Sequence, residues 1–424
     1  MKKLFCYLMK LNINAFADIR TGKILAIALG CAIFVSYLSD VHSQTLNNTN
    51  LHIIDLDNAE KLESVNISSL FKNIKCIKLE DHIDGLLSSV DKLIVHNNHF
   101  FVLDKMNVKS VLVFDGDGKF VRKIGRIGRG PGEYSHFYDF TIDTDKNELI
   151  ILEHGQMHFY ATSGDFLRTV RLRQSDGHVS YLQYYDKLVY TSFKSSNSQT
   201  NNFLLQSVNI DDGQRKNFFL DVEEHNKGWN ESFVHNMSYF VPKLAPPYLF
   251  RHSFMDTIFA ITDKGLMPYI TIKSKDMITK RELQIPSNSN LVMYTRHLFS
   301  GGVNKIFSIY NYFETPEYVH LQYHKGIDIP NSVFFNKNTK TTHVVQSTNF
   351  RNDLLFAEAR QNVMYSQFIT FGEQGAYEAY YPNSSSTEWL IKFVQENNLK
   401  PPFNELLKSL NEESNPVIFY YEFK

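Results

Sequence analysis

The stretch FDGDGKFVRKI at residues 114–124 decides the fold, because a related stretch, YATSGDFLRTV, occupies residues 160–170. In both, a glycine-containing turn separates two short segments rich in aromatic and β-branched residues, a pattern that predicts a β-hairpin. Five positions coincide at an offset of 46 residues: Phe114 with Tyr160, Gly118 with Gly164, Phe120 with Phe166, Arg122 with Arg168, and Ile124 with Val170. This fixed offset indicates that one structural unit is repeated along the chain.

Each unit is predicted to contain four strands. In the first unit they cover residues 93–96, 100–104, 111–115 and 120–125, and in the second 137–143, 148–153, 157–161 and 166–172. A degraded third copy runs through 188–190 and 204–210 with Asp212 and Gly213 at its turn, and further copies are predicted to begin at 257–261 and 318–323. Four strands and a period in the forties are typical of propeller blades, whose small sheets bury both faces against their neighbours. We therefore predict an all-β fold, a six-bladed β-propeller. Two β-sandwiches are the alternative, but they do not explain the fixed offset.

The C-terminal part of the chain departs from the repeat. Residues from about 387 to 411 are predicted to form an insertion of two short amphipathic helices, because apolar side chains recur there at helical spacing. The chain then ends in VIFYYEF at residues 417–423, a strand that we expect to complete a blade begun elsewhere. Closing the ring with strands from both ends of the chain would remove the open seam.

The N-terminus is typical of an export signal. An apolar run at residues 24–38 follows several lysines, and at about 1.5 Å per residue it falls short of a hydrocarbon core of about 30 Å. We predict a signal peptide over residues 1–43, cleaved after Ser43, and a propeller domain over residues 44–424. The alternative is lipidation at Cys31, the one case in which we expect association with a membrane. Cleavage would leave Cys76 as the single cysteine, which we expect to be a small buried apolar residue.

Composition excludes several classes of protein. Lys and Arg number 44 against 45 Asp and Glu, a net charge of −1, so the chain lacks the excess positive charge that binding to nucleic acid requires. Hydrophobic residues make up 43% of the chain, which excludes disorder throughout. The aromatic share of 14% favours strands.

One loop carries a resemblance to a known family. The segment GRIGRGPGEY at residues 125–134 follows the FDGDGKF hairpin at residues 114–120. Together they resemble the blade-joining loop and hairpin of an exported bacterial six-bladed β-propeller family, the NHL-like proteins common in Bacteroidetes. Weaker matches occur at residues 77–80, 256–259, 352–354 and 415–417. The resemblance implies a six-bladed propeller and export, and it implies no defined activity.

The Gly-rich loop supplies the candidate ligand contacts. If the repeat is a propeller, the loop lies at one rim, near the mouth of the channel, and its polar or aromatic side chains become candidates: Arg126, Arg129, Glu133 and Tyr134. The alternatives are a purely structural connector and a nucleotide loop. The nucleotide interpretation fails because Pro131 and a further strand follow the glycines, where a dinucleotide loop would open a helix.

Metal and aromatic sites are weaker candidates. Asn352 and Asp353 could supply oxygen ligands to a cation in the channel, so calcium is the one cofactor that we consider, and otherwise we expect none. Residues 143–147 begin like a calcium loop but lack its glycine and its final glutamate, which favours a hairpin turn. His154 and His158 are spaced for a helix but lie in predicted strands, which argues against zinc. An aromatic run, made of Tyr181, Tyr184, Tyr185, Tyr190 and Phe193, is either blade core or a surface for stacking sugars.

These patterns favour a binding or interaction module over an enzyme. The sequence has no Gly-x-Ser-x-Gly, His-Glu-x-x-His or Cys-x-x-Cys motif. We predict an exported, monomeric module of the bacterial cell envelope, periplasmic or associated with the outer membrane. Its partner is expected to be a glycan, a peptide or an envelope protein. The alternative is a propeller enzyme, a hydrolase of lactonase or lyase type with calcium as an optional cofactor.

Overall fold

A computed structural model describes residues 51–172, 179–193, 203–221, 224, 238–252, 255–279, 282, 304–326, 328–356, 368–382, 400, 403–411 and 413–424. The predicted signal peptide, the cleavage position after Ser43 and the alternative lipidation site Cys31 lie outside the described residues. Residues 51–424 form one compact unit.

The described strands form six sheets of four or five strands and two short two-stranded pairs, one of which joins Arg126–Ile127 to Glu133–Tyr134. We number the six larger sheets as blades one to six in the order of their first strands. Blades one, two and three contain four consecutive antiparallel strands each: Lys92–His96, His99–Asp104, Ser110–Asp115 and Phe120–Ile124; then Asp139–Asp143, Glu148–Glu153, Gln156–Ala161 and Phe166–Arg171; then Val179–Tyr185, Leu188–Phe193, Phe203–Asn209 and Arg215–Asp221. Blades four and five begin in the same way: Ser238–Phe240, Leu249–His252, Thr257–Thr262 and Gly265–Lys273; then Ile306–Glu314, Tyr318–Lys325, Asn331–Asn336 and Thr342–Gln346. Blade six contains Phe368–Phe371, Gly375–Tyr380, Val417–Phe423 and Phe71–Lys78. The six-bladed β-propeller predicted from the repeat is confirmed.

The hairpin that revealed the repeat has the same pairing in blades one and two. Phe114 pairs with Phe120, and Tyr160 pairs with Phe166, with a register shift just before each pair. The glycine of each turn has a positive φ, +85° at Gly118. The offset of 46 residues therefore reflects two equivalent outer hairpins.

The offset changes towards the centre of the ring. The second strands of blades one and two begin at His99 and Glu148, which are 49 positions apart. The difference arises because residues 105–109 join the second strand to the third in blade one, whereas residues 154–155 suffice in blade two. The predicted starts of later copies are wrong, because Thr257–Thr262 is a third strand and Tyr318–Lys325 is a second strand.

The first strand of each blade is the innermost, and neighbouring first strands run in the same direction. The backbone N–H of Leu182 donates to Asp139 Oδ2 at 3.0 Å, and that of Tyr184 donates to Thr141 Oγ1 at 3.2 Å. Both residue numbers rise together, so the strands of blades two and three start at the same end of the axis. We call the end where the inner strands begin the entry end, and the opposite end, where they finish, the exit end. The two names refer to the direction of the chain.

The N-terminal segment lies along the outer edges of three consecutive blades. Its strand Phe71–Lys78 is the outermost strand of blade six and pairs antiparallel with Val417–Phe423, which joins the two ends of the chain in one sheet. Upstream, His52–Asp55 and Glu60–Lys61 add fifth, parallel strands to blades four and five. A short pair, Val65–Asn66 with Phe350–Arg351, lies between these contacts. The terminal strand expected at 417–423 therefore lies inside a blade whose edge comes from the N-terminus.

The core lies between the blades. Phe101 and Val113 of blade one pack against Phe140 and Ile151 of blade two. In the largest cluster, Phe71 contacts both Phe313 of blade five and Phe368 of blade six, with ring centroids 5.6 and 5.5 Å apart. Each buried phenylalanine contributes about 1.5–3 kcal/mol, so the aromatic residues supply much of the stability of the ring.

Helix is scarce in the described residues. The second of the two expected helices is present at Phe403–Lys408, whereas residues 383–399, where the first was expected, lie outside the described residues. Two 3₁₀ turns occur, at Ile67–Ser69 and Ser347–Asn349. None of the described helices has the length and apolar character to span a membrane. Cys76 is a free thiol that packs against the largest core cluster, and burial raises its pKa.

Candidate functional site

A cavity of about 400 Å³ lies on the axis of the propeller. Its wall is formed by the first strands of blades one, two, three and six and by the segment that follows the first strand of blade four. The polar side chains that matter below are Lys92, Lys105, Asp139, Tyr181, Gln183 and Lys243. Because the blades bring residues from five parts of the chain to one cavity, this is the candidate functional site.

A buried ion pair holds two blades together at the entry end. Lys92 Nζ lies 3.1 Å from both carboxylate oxygens of Asp139 and donates at 3.4 Å to the carbonyl of Leu182. The Asp139 side chain is only 3% exposed, and that of Lys92 is 21% exposed. Burial lowers the pKa of Lys92, and the Asp139 carboxylate opposes that shift. The charge of Lys92 is therefore already neutralised by the protein.

Lys105 lies at the same end without such a partner. Its ammonium group is 5.3 Å from the centroid of the Tyr181 ring, within the range of a cation–π contact. The carboxylate of Asp91 accepts hydrogen bonds from the Lys105 backbone N–H at 2.7 Å and from the Ser89 hydroxyl at 2.9 Å. In the described part of the chain, the Lys105 ammonium group forms no ion pair with a carboxylate.

Lys243 lies at the exit end, on a segment that crosses the channel. Pro242 accepts a hydrogen bond from the Phe371 backbone N–H at 3.1 Å, and the N–H of Leu244 donates to the Phe371 carbonyl at 2.8 Å. This short parallel bridge links the segment after the first strand of blade four to the last residue of the first strand of blade six. It therefore covers the exit end of the cavity.

The charge of Lys243 is partly buried. Burial is the main cause that lowers its pKa, Lys337 adds to the shift, and Glu314 opposes it. Among the described residues none forms an ion pair with the Lys243 ammonium group. The cavity thus holds one neutralised lysine and two that lack a carboxylate partner.

The Gly-rich loop contributes none of the residues that line this cavity. Arg126 Nε donates to Glu133 Oε1 at 2.6 Å, and Glu133 Oε2 accepts the Gly130 backbone N–H at 2.8 Å. These contacts lower the pKa of Glu133, the Gly130 hydrogen bond most strongly. The side chains of Arg126 and Arg129 are exposed. The structure therefore brings together Arg126 and Glu133, and a ligand-contact role for them stays a prediction.

Tyr134 has a different environment from the rest of the loop. It is 1% exposed and belongs to the core between blades one and two. Its hydroxyl donates to the carbonyl of Lys109 at 2.9 Å, and burial raises its pKa. A Cβ on Gly125 would lie 2.7 Å from the Tyr134 ring, so this glycine permits the close approach of loop and ring.

The residues considered for calcium hold parts of the scaffold together. Asp353 Oδ1 accepts the Ser68 backbone N–H at 2.9 Å, and Asn352 donates to the Tyr421 hydroxyl at 3.1 Å. Neither residue lines the axial cavity. Over the described ranges, no three His, Cys, Asp or Glu side chains are grouped as a metal site would need.

The other sequence candidates take structural roles. Asp143 Oδ1 accepts backbone N–H groups of the following turn, from Asp145 at 3.0 Å and Lys146 at 3.1 Å. His158 lies 2.9 Å from Glu153, in the strand that follows the His154 turn. A hairpin turn and two strands were the expected interpretations of these stretches.

The aromatic run is divided between core and cavity. Tyr184 and Tyr190 belong to the cores on the two faces of blade three. Tyr181 lines the axial cavity, and Tyr185 packs at the edge of a core cluster. The side chain of Phe193 lies outside the described residues.

Sequence reasoning missed most of the cavity. Lys92 and Asp139 occupy the first position of two successive inner strands, so opposite charges at equivalent positions were the available signal. Lys105 lies in the connection between the second and third strands of blade one, and the repeat seen in the outer hairpins does not include this connection. Lys243 reaches the cavity through a pairing between blades four and six, and no local pattern encodes that contact.

Comparison with solved structures gives one match that supports the fold. A crystal structure of a protein from Bacteroides fragilis described as exported matches with a TM-score of 0.67 and 20% identity, covering 88% of this chain and 99% of that one. A DUF4221 family member from Bacteroides vulgatus matches with a TM-score of 0.48 and 10% identity, over 84% of this chain and 97% of that one. No curated protein matches the chain. Residues 51–422 match the family described as "Domain of unknown function (DUF4934)", and the chain belongs to that family.

Proposed function

We propose that this protein is an exported binding module of the bacterial cell envelope that holds an acidic glycan or peptide in its axial cavity. The exported description of the Bacteroides fragilis structure supports the location. A periplasmic or outer-membrane position follows from the predicted signal peptide. An NHL-like repeat and a monomeric state are further parts of this proposal.

The observation that carries the proposal is the pair of lysines without carboxylate partners in the cavity wall. The cavity wall carries three lysines, Lys92, Lys105 and Lys243, and two aspartates, Asp91 and Asp139. Both aspartates already accept hydrogen bonds from the protein. Removing a charge from water is unfavourable unless it is paired. A carboxylate or phosphate on a ligand would supply the missing partner.

The size of the cavity suits a small ligand. Pockets for small molecules measure about 300–1,000 Å³, and the cavity of about 400 Å³ lies at the lower end of that range. Tyr181 offers an aromatic wall, and the flat face of a tyrosine suits the apolar face of a pyranose ring. An acidic sugar or a short acidic peptide therefore fits better than a large polymer.

A binding screen tests this function. The mature protein is screened against immobilised glycans and peptides that include acidic members and neutral counterparts of the same length. We expect acidic members to bind and Lys105→Gln to reduce that binding, while Lys119→Gln, on an exposed hairpin, leaves it unchanged. Binding of neutral members alone, or equal effects of the two variants, would contradict the proposal.

The alternative is a propeller enzyme of lactonase or lyase type. No specific feature of the described residues supports it. Lys92 and Asp139 neutralise each other, and no group of metal-ligating side chains lies in the described cavity wall. Turnover of an acidic glycan by the mature protein, lost in Asp139→Asn, would move the assignment to the enzyme.

A further inference from the structure

We propose that the ligand carries two anionic groups, one bound at each end of the axial cavity, with an uncharged stretch between them. This inference rests on the proposed function and narrows its ligand class. It is argued from where the cavity lysines lie, which of them are already paired, and what lines the wall between them.

The two unpaired lysines belong to opposite ends of the cavity. Lys105 lies beside Lys92, at the beginning of the inner strand of blade one, whereas Lys243 bridges to Phe371, at the end of the inner strand of blade six. The inner strand Lys92–His96 lines the cavity over its whole length. At about 3.3 Å per residue, such a strand covers about 13 Å. A single carboxylate cannot contact both ends of a cavity of that length.

At the entry end, Lys105 is the free cation. Lys92 is paired with Asp139, and the nearby positive charge of Lys105 adds to the lowering of the Lys92 pKa. An anion placed beside Lys105 and the Tyr181 ring would offset the two positive charges at this end. Because Tyr181 holds the ammonium group at 5.3 Å, the cation is positioned before a ligand arrives.

At the exit end, Lys243 has its own charged surroundings. Its electrostatic neighbours are Glu314, Lys337 and Glu373, and neither lysine of the entry end is among them. Glu314 already accepts from the Tyr269 hydroxyl at 3.0 Å and lies 3.5 Å from Lys337 Nζ. Among the described residues, neither Glu314 nor Glu373 forms an ion pair with Lys243, so its ammonium group remains available to a second anion.

Among the described residues, the wall between the ends is uncharged. It is formed by side chains of blades one, two, three and six: Ile94, Val95, Thr141, Ile142, Gln183 and Ile369. At the exit end, His96 also lines the cavity, and its ring lies 2.7 Å from Asn147 Oδ1. The sequence of cation, uncharged wall and cation matches a ligand with an acidic group at each end.

Two sources offer this chemistry, an acidic disaccharide and a short acidic peptide. Isothermal titration of the mature protein with digalacturonate, galacturonate and lactose tests the sugar source. The blocked tetrapeptides Glu-Ala-Ala-Glu and Glu-Ala-Ala-Gln test the peptide source. We expect the dianion of one source to bind at least tenfold more tightly than its monoanion.

Two variants and one salt series complete the test. Lys105→Gln and Lys243→Gln are each expected to weaken dianion binding about tenfold, while Lys119→Gln does not change it. The dianion should also lose affinity with added salt about twice as steeply as the monoanion, a measurement on the unaltered protein that does not depend on any variant folding. Equal affinities, or equal salt slopes, for monoanion and dianion overturn the two-anion inference but leave the proposed function standing. Failure of every anionic probe to bind counts against both.

Discussion

We expect His320→Phe to make the folded protein less sensitive to acid. His320 is 0% exposed and stacks on Phe313, with ring centroids 4.5 Å apart. One ring nitrogen lies 3.2 Å from the carbonyl of Asn311, and the other is buried with no hydrogen-bond partner among the described residues. Burial lowers the pKa of His320 to about 3 from an ordinary value of 6.5. The folded protein therefore keeps this ring neutral at pH values where an unfolded chain is protonated.

The size of the effect follows from the two pKa values. Between about pH 6.5 and pH 3 the unfolded state binds a proton that the folded state does not, so the free energy of unfolding falls as the pH falls through this window. One pKa unit corresponds to about 1.36 kcal/mol. At pH 5, about 1.5 units below the unfolded value, His320 should cost the folded state about 2 kcal/mol relative to pH 7.

Urea unfolding followed by circular dichroism at pH 7 and pH 5 measures this. The wild-type protein should lose about 2 kcal/mol more than His320→Phe between the two pH values, whatever the stability of the variant at pH 7. His136→Phe, at an exposed histidine, is the matched control and should show the wild-type difference. If His320→Phe and wild type lose equal stability, the ring titrates normally and the argument from burial is refuted.

Two further predictions concern the scaffold, and a third concerns calcium. Lys92→Met leaves Asp139 charged and buried, so it should lower the free energy of unfolding, measured in urea, by about 3–5 kcal/mol. Adding Asp139→Leu should recover most of that loss. If Lys92→Met alone left the free energy of unfolding unchanged, the buried ion pair would be contradicted. Gly118→Ala should cost about 1–3 kcal/mol, because φ is +85° and its Cβ would lie 2.3 Å from the Lys78 carbonyl. Gly164→Ala, also at positive φ but 3.6 Å from its nearest neighbour, should cost less, and the reverse order would be inconsistent with that backbone contact. Calcium and a chelator should leave the Tm unchanged, and stabilisation by calcium would favour the propeller enzyme.

The sequence could predict the outer half of each blade better than the inner half. Gly118 and Gly164 mark equivalent turns because a positive φ selects glycine, and the aromatic pairs beside them must fill the space between sheets. The inner strands have no equivalent glycines or aromatic pairs to identify them, and connections of different length shift their positions from blade to blade. Blades four and five were misplaced because their first strands begin well before the segments that look most strand-like.

The candidate site was less predictable than the fold. Glycines drew attention to the loop at 125–134, where they permit the close approach of Tyr134 and Glu133 to the backbone. The cavity instead depends on Lys105 and Lys243, which are ordinary lysines until the ring closes around them. Whether each lysine has a carboxylate partner is determined by tertiary structure, because the distance from a lysine to its nearest carboxylate cannot be read from spacing along the chain.

The sheet shared by the two ends of the chain has a consequence for how the protein is made. Blade six is complete only when the strand Phe71–Lys78 meets Val417–Phe423, and the neighbouring contact from Asn415 to Asp81 joins residues 334 positions apart. Closing a loop of that length costs about 5 kcal/mol of chain entropy, so contacts of this range form late in folding. We infer that the ring closes only after the C-terminal strand is available. A chain that crosses a membrane N-terminus first therefore cannot complete blade six until its C-terminus has crossed as well.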